Sequence, residues 1–291
     1  MSADRIAPLR EVTEVEIETF WRDGVVCLRS ILPLDLLDAM VQPVEEALRS
    51  RATADLSQMG DALGEGGVER AVDPGVDAGA IGRGRFLGGT DHWLEQPEFL
   101  AFDTRSPLPA IVARLLRTST VRLYEDSVLV KEPGTVERTA FHQDLAYFHL
   151  DGDQICTTWV PLDVVTAESG AVRFVAGSHL DRTAYRPNLF VTTMAIPGTE
   201  GAEVPDYDTM VGEARIISFD TEPGDLTVHH ARTIHGANGN ASATRRRRAI
   251  SVRYAGDDAR FLTRTGAPTK AHHRAMCDGD ALDDTFPLGW P

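Results

Sequence analysis

Up to about residue 120 the apolar positions of this 291-residue chain recur at helical spacing. In LPLDLLDAMVQPVEEALRS, Leu37, Met40, Val41, Val44 and Leu48 fall on one face, with a kink expected at Pro43. The segment before it, TEVEIETFWRDG, places Thr13 three residues ahead of Glu16. That is the capping-box arrangement, in which each side chain satisfies an orphan backbone N–H, and it predicts a helix from there to Gly24. VVCLRSIL then reads as a short strand, and Ser106-Pro107 predicts a further helix through Leu116. Between these, residues 60–90 are so rich in glycine that a mobile loop is expected, either a lid or a surface excursion.

From Val121 the texture changes to short alternating runs: VRLYEDSVLVK, ICTTWVPLDVV, AVRFVAGSH, RIISF, DLTVHH and RRAISVRY, separated by Gly, Pro, Asp and Asn turns. Many short strands at such intervals predict a sandwich or barrel. A Pro-containing insertion, 181–214, interrupts the series. The expected organisation is one domain over 1–291. It has a mostly helical part, 1–120, a β core, 121–256, and a C-terminal segment, 257–291. No internal repeat or heptad pattern is present.

Composition narrows the function. The formal net charge of -15 repels polyanions, so nucleic acid is not an expected partner and a small-molecule substrate is. No apolar run has the length of a membrane span, and the first residues lack the basic-then-apolar order of a secretory signal. No membrane association and a cytoplasmic location are expected. Cys27, Cys156 and Cys277 show no CxxC spacing, which predicts reduced, buried thiols and neither a disulfide framework nor a thiolate zinc site. Nothing here fixes an oligomeric state.

The chemistry concentrates in FHQDLAYFHL, residues 141–150. On a strand, side chains two apart share a face, so His142 and Asp144 aim an imidazole and a carboxylate at one point while Gln143 faces away. A divalent metal suits that pair, and His235 in TIHGANGN is the candidate third ligand. Two histidines and a carboxylate form the facial triad of non-haem Fe(II) oxygenases, although zinc accepts the same ligands. His229 and His230 lie at strand positions that favour packing or the surface over ligation. Downstream, Ile250, Val252 and Tyr254 alternate on one face, which turns Arg247, Ala249 and Ser251 to the other. An inward Arg247 can grip a carboxylate bidentately, whereas Arg248 would share the face of the bulky apolar residues.

With these motifs, FWRDGVVCL, VKEPGTVERTAFHQDLAYF, WVPLDVVTAESGAVRFVAGSH, PGDLTVHHARTIHGANGN and RRRRAIS, the chain resembles the phytanoyl-CoA dioxygenase-like Fe(II)/2-oxoglutarate-dependent oxygenases over most of its length. The HxD pair alone is a weak signal; the combination is specific. The resemblance implies a mainly β fold with flanking helices around a double-stranded β-helix of jelly-roll or cupin kind. It implies His142, Asp144 and His235 as iron ligands, Arg247 holding the far carboxylate of 2-oxoglutarate, and Gln143 and Trp159 lining the cosubstrate pocket. It implies O2 as the second cosubstrate and hydroxylation of a small organic substrate, with release of succinate and CO2. Asp144 separates the chain from the halogenases of this family, which carry a small residue there. Relatives often have a serine two residues after the distal histidine, where this chain has Ala237. Tyr147, Phe148 and His149, directly after the ligands, are candidate substrate contacts. A non-catalytic cupin-like binding protein and a zinc hydrolase are the alternatives that the residues leave open.

Overall fold

In the computed structural model, which describes residues 5–65, 72–210, 212 and 214–291, the capping box at Thr13 is formed. Helix α1 (Glu14–Asp23) runs from it to Gly24, which ends the helix in the left-handed region at φ 77°. A Cβ there would meet the Thr233 hydroxyl at 2.4 Å, so glycine is required twice over. Strand β1 (Val25–Leu28) follows, then α2 (Leu34–Ala47), which carries Pro43 inside it and buries Leu37, Met40 and Val44. The glycine-rich stretch departs from expectation at both ends. Next come β2 (Thr53–Asp55), α3 (Leu56–Glu65), α4 (Ala78–Ile81) and β3 (Phe86–Thr90), so helix and strand enter the expected loop, whose centre, 66–71, lies outside the described residues. Helices α5 (Pro97–Arg105) and α6 (Leu108–Leu116) complete the N-terminal part; α6 begins two residues after Ser106, whose hydroxyl caps Leu108.

The remaining strands are β4 (Val121–Lys131), β5 (Thr139–Gln143), β6 (Leu150–Asp151), β7 (Ile155–Pro161), β8 (Val172–Val175), β9 (Ile216–Ser218), β10 (Leu226–His230), β11 (Ile234–Ala237), β12 (Arg247–Ala255), β13 (Arg260–Phe261) and β14 (Leu288–Trp290). Among the described residues they build a large antiparallel sheet, β1-β10-β7-β12-β4-β3-β2 with β14 also on β4, a smaller one, β5-β11-β8-β9, and a two-stranded ribbon, β13-β6. The two sheets make a jelly roll, the mainly β architecture with flanking helices that the family resemblance implies.

Strand alternation explains where the site lies. On the large sheet Val128, Val130, Val160, Val228, Ile250, Val252 and Tyr254 belong to the main core together with Ile17, Phe20, Leu37, Val44, Phe99, Ile111 and Leu115 of the helices. The apolar face of each strand is therefore spent on the helical layer, where each fully buried side chain contributes about 1.5–3 kcal/mol. The opposite face carries polar and charged side chains, among them Ser127, Thr157, His229, Arg247, Ser251 and Arg253, and encloses a cavity.

Among its described residues the insertion has no helix or strand, and isolated pairings hold Tyr185 to Ala202 and Asn188 to Ala195. The C-terminal segment returns to the barrel mouth, where Arg264 donates to the carbonyls of Phe148 (2.9 Å) and Leu150 (2.8 Å). All three cysteines are free; Cys156 is buried as expected, but Cys277 is exposed. Among the described residues, no helix is long and apolar enough to cross a membrane.

Candidate metal centre

Strands β5 and β11 pair antiparallel with His142 directly opposite His235, which brings residues far apart in sequence onto one rung. Each ring is fixed by its own strand. His142 Nδ1 lies 2.8 Å from the Ala140 carbonyl and His235 Nδ1 3.0 Å from that of Thr233. A carbonyl only accepts, so both rings carry their proton on Nδ1 and turn the Nε2 lone pair inward. Asp144 completes the group: its Oδ1 is 3.6 Å from His142 Nε2 and 3.7 Å from His235 Nε2. The three ligand atoms lie within 4.8 Å of one another, the one such cluster of His, Cys, Asp and Glu among the described residues. One expectation needs correcting. Asp144 is not on the strand, which ends at Gln143; it opens a single 3-10 turn, and that turn swings the carboxylate to face both imidazoles.

The other carboxylate oxygen is held by the large sheet. Asp144 Oδ2 accepts from the Thr157 hydroxyl at 2.5 Å and from His229 Nε2 at 3.1 Å. Thr157 and His229 are themselves register partners across β7 and β10. Thus the small sheet supplies the imidazoles and the large sheet aims the carboxylate. Burial pushes the Asp144 carboxyl up, but the surrounding His235, His142 and His229 rings outweigh it and hold the group well below the usual carboxylate range. Burial, with His142 and His229 nearby, pushes His235 well below the usual imidazole range. Neutral imidazoles and an ionised carboxylate are the forms a divalent metal binds.

Arg247 is where the alternation of β12 puts it, on the inward face and 2% exposed. Its guanidinium stands 5.4 Å from the Trp159 ring, and Nη2 donates weakly to the Gly170 carbonyl at 3.3 Å. Nε and Nη1 have no partner among the described residues, and burial pushes the group down to about 10. One inner cavity joins Arg247, Trp159 and Ser251 to His142, Asp144 and His235. The other arginines of the run are engaged outside: Arg248 with Asp163 and Glu45, Arg246 with Glu45, Arg245 with Glu168. Gln143 does not line this cavity. Its amide donates to the Arg232 carbonyl at 2.8 Å, in keeping with its outward position on β5 and against a role in the cosubstrate pocket.

A second cavity, about 350 Å³, opens from the same His142 and Asp144 toward the surface. Tyr147 and Phe148 line it. His149 does not: its ring is locked between the Pro268 carbonyl (2.9 Å) and the Arg264 amide (3.1 Å) and ties the C-terminal segment down. Of its described residues the glycine-rich stretch contributes Gly88–Thr90, and the insertion contributes Phe190, held at φ 64° with its ring 5.2 Å from that of His142. Such a backbone is strained for a residue with a Cβ, a feature that concentrates at functional sites. Thr157 and Arg253 have no place among the sequence-based expectations, and His229, expected to pack or face the surface, instead holds Asp144. Alternation would have found Arg253, two beyond Ser251 on the same face, and Thr157, two before Trp159.

The family model for phytanoyl-CoA dioxygenase (PhyH) matches residues 20–249. The chain belongs to the phytanoyl-CoA dioxygenase family. It is also similar to the probable alpha-ketoglutarate-dependent hypophosphite dioxygenase of Stutzerimonas stutzeri, 29% identical over 140 residues, 48% of this chain and 46% of that protein. The match thus spans about half the length of that relative. Among solved structures it resembles the non-heme alpha ketoglutarate dependent carbocyclase SnoK from nogalamycin biosynthesis, with TM-score 0.68 and 23% identity over 97% of this chain and 98% of that one. The epimerase SnoN, in complex with Fe3+, alpha ketoglutarate and nogalamycin RO, gives TM-score 0.65 and 23% identity over 94% and 97%. EctD from S. alaskensis with 2-oxoglutarate and 5-hydroxyectoine gives 0.57 and 17% over 88% and 84%. At these identities the likeness establishes the fold. The family and that relative place the chain among the non-haem iron, 2-oxoglutarate-dependent dioxygenases.

Proposed function

We propose that this phytanoyl-CoA dioxygenase family member hydroxylates a small organic molecule in the cytoplasm, using Fe(II), 2-oxoglutarate and O2 and releasing succinate and CO2. His142, Asp144 and His235 would hold the iron, and Arg247 the far carboxylate of 2-oxoglutarate. The observation that carries this reading is a single buried cavity with three convergent donors at one end and an arginine with two unbonded nitrogens at the other. A buried guanidinium with open donors fits a carboxylate ligand better than any group of the protein itself, because Arg matches carboxylate geometry bidentately. Trp159 packs against the guanidinium, and Ser251 offers a hydroxyl on the same strand face, on a cavity where Ala237 offers none. Bound iron with 2-oxoglutarate supplies the oxidising chemistry; the protein's groups set geometry and exclude water. The outer cavity, adjoining His142 and Asp144, would place a substrate carbon beside the metal.

The test is anaerobic addition of Fe(II) and 2-oxoglutarate. A weak visible charge-transfer absorption is expected from the wild type and its loss from Asp144→Ala, with succinate released on admission of O2. Iron bound without that absorption and without succinate would instead mark a non-catalytic metal-binding protein, and selective retention of zinc a hydrolase.

A further inference from the structure

The oxygenase reading leaves Arg253 unused, yet among the described residues it is the one cationic side chain that lines both the inner and the outer cavity. It stands on β12 opposite Thr157, whose hydroxyl holds Asp144, and its side chain is 11% exposed. Its protein contacts all run through one nitrogen. Nη1 donates to the Ser127 hydroxyl, to the Ser251 carbonyl at 3.4 Å, and faces Glu125 Oε1 at 3.5 Å. Nε is buried without a partner, and no described protein group bonds Nη2. The Nε–Nη2 edge, the side of the fork that matches a carboxylate with two parallel bonds, therefore remains for a ligand.

Glu125 does not serve as that ligand. A charge-assisted N–H···O bond is about 2.7–2.9 Å long, and Glu125 is well beyond it because Lys270 claims its other oxygen. Lys270 is occupied in turn, bridging Glu125 to Asp91 at 2.7 Å. The outer cavity is also lined by Leu56, Leu129, Phe148 and Phe190, and its size sits at the small end of the range for ligand pockets. We infer that the substrate is a small amphipathic organic acid, its carboxylate bound on the free edge of Arg253 and its apolar body on the Leu56–Leu129–Phe148–Phe190 wall.

This inference rests on the oxygenase reading, and the experiment separates the two. Phenylbutanoate, octanoate and decanoate are each tested beside their primary amides on anaerobic protein carrying Fe(II) and 2-oxoglutarate. The readouts are perturbation of the visible absorption and, after O2 is admitted, succinate release. The acids should act at concentrations at least about ten-fold lower than the amides, the scale of one charge-assisted contact. Arg253→Gln should keep the absorption and lose the preference, and Arg253→Lys should keep part of it. Wild-type protein with the absorption but responding equally to acids and amides, or to neither, overturns the inference alone. Loss of the absorption in both Arg253 variants would assign the residue to the cosubstrate and overturn it too. A wild type without the absorption removes the oxygenase reading and the inference with it.

Discussion

A guanidinium buried with two nitrogens unbonded destabilises the fold that carries it, because its lost hydration is not replaced. Arg247 is such a group, so its substitution should act with opposite signs on two measurements. Arg247→Met, which fills the space beside Trp159, is expected to leave the thermal midpoint of the ligand-free protein equal or higher. It should weaken 2-oxoglutarate binding, followed by titration of the visible absorption, at least about thirty-fold, the scale of removing one partner of a buried charge pair. A fall in both would make Arg247 a structural residue. Thr157 acts one step further out, as a positioning residue that touches the metal only through Asp144. Thr157→Val keeps the shape and removes the donor. Fe(II) affinity or turnover should fall by about 10–100-fold, the usual range for a group that orients a metal ligand, while thermal stability barely changes. Thr157→Ser, which restores the hydroxyl, should recover most of the loss; failure to do so would count against an orienting role.

At the level of elements, legibility followed periodicity. Strand β4 was readable to the residue, α1 to its caps, and β12 to the face of each side chain, because each is set by rules that act within a few neighbouring positions. The imidazole ligands were readable because His142 and His235 each lie on a short strand, β5 and β11. What failed crossed between elements. His229 reads as a packing residue until β10 is placed beside β7 and below Asp144, and Asp144 itself lies in a turn that alternation cannot describe. Another such pair lies where α5 meets β4. Asp103 and Asp126 are both fully buried; Asp126 accepts from the Trp93 amide at 3.1 Å, and no protein donor reaches either oxygen of Asp103. Burial, joined by Asp126, pushes Asp103 well above the carboxylate range, and burial with Asp91 and Glu125 pushes Asp126 to about 7. A proton shared between them supplies the missing donor. Groups raised above their unfolded value of 3.8 are no burden below that pH and lose stability as pH climbs toward the folded value. Unfolding free energy should therefore decline between about pH 4 and pH 7, by up to about 1.4 kcal/mol per unit for each proton involved. Asp103→Asn carries its own donor to Asp126, so it should flatten that decline and raise the midpoint at neutral pH by a few degrees. Denaturant melts across that pH range check both, and an unchanged slope would exclude the pair as its source.

For the molecule as a whole, the cavity mouth is assembled from pieces that share no periodicity: the end of the glycine-rich stretch, Phe190 of the insertion, and Pro268 and Lys270 of the C-terminal segment. That is the physical reason the substrate side was the least readable part of the chain. Helical and strand patterns report burial against a regular neighbour, and these segments have none. The C-terminal segment is fastened instead by discrete polar links, His149 to Pro268, Arg264 to the Phe148 and Leu150 carbonyls, and Lys270 to Asp91 and Glu125. Lys270 is 18% exposed, and Glu125 and Asp91 are 12% and 19%, so the bridge is screened little by solvent. Lys270→Met keeps the stem and leaves two carboxylates facing each other without a cation. The loss falls on a segment that opens on its own, not on the sheet beneath. Hydrogen exchange should show protection of amides in 264–276 reduced by about ten-fold or more, while amides of β12 and β4 keep theirs. If β12 lost protection in parallel, the segment and the barrel would form one cooperative unit, and the mouth of the cavity could open only with the core.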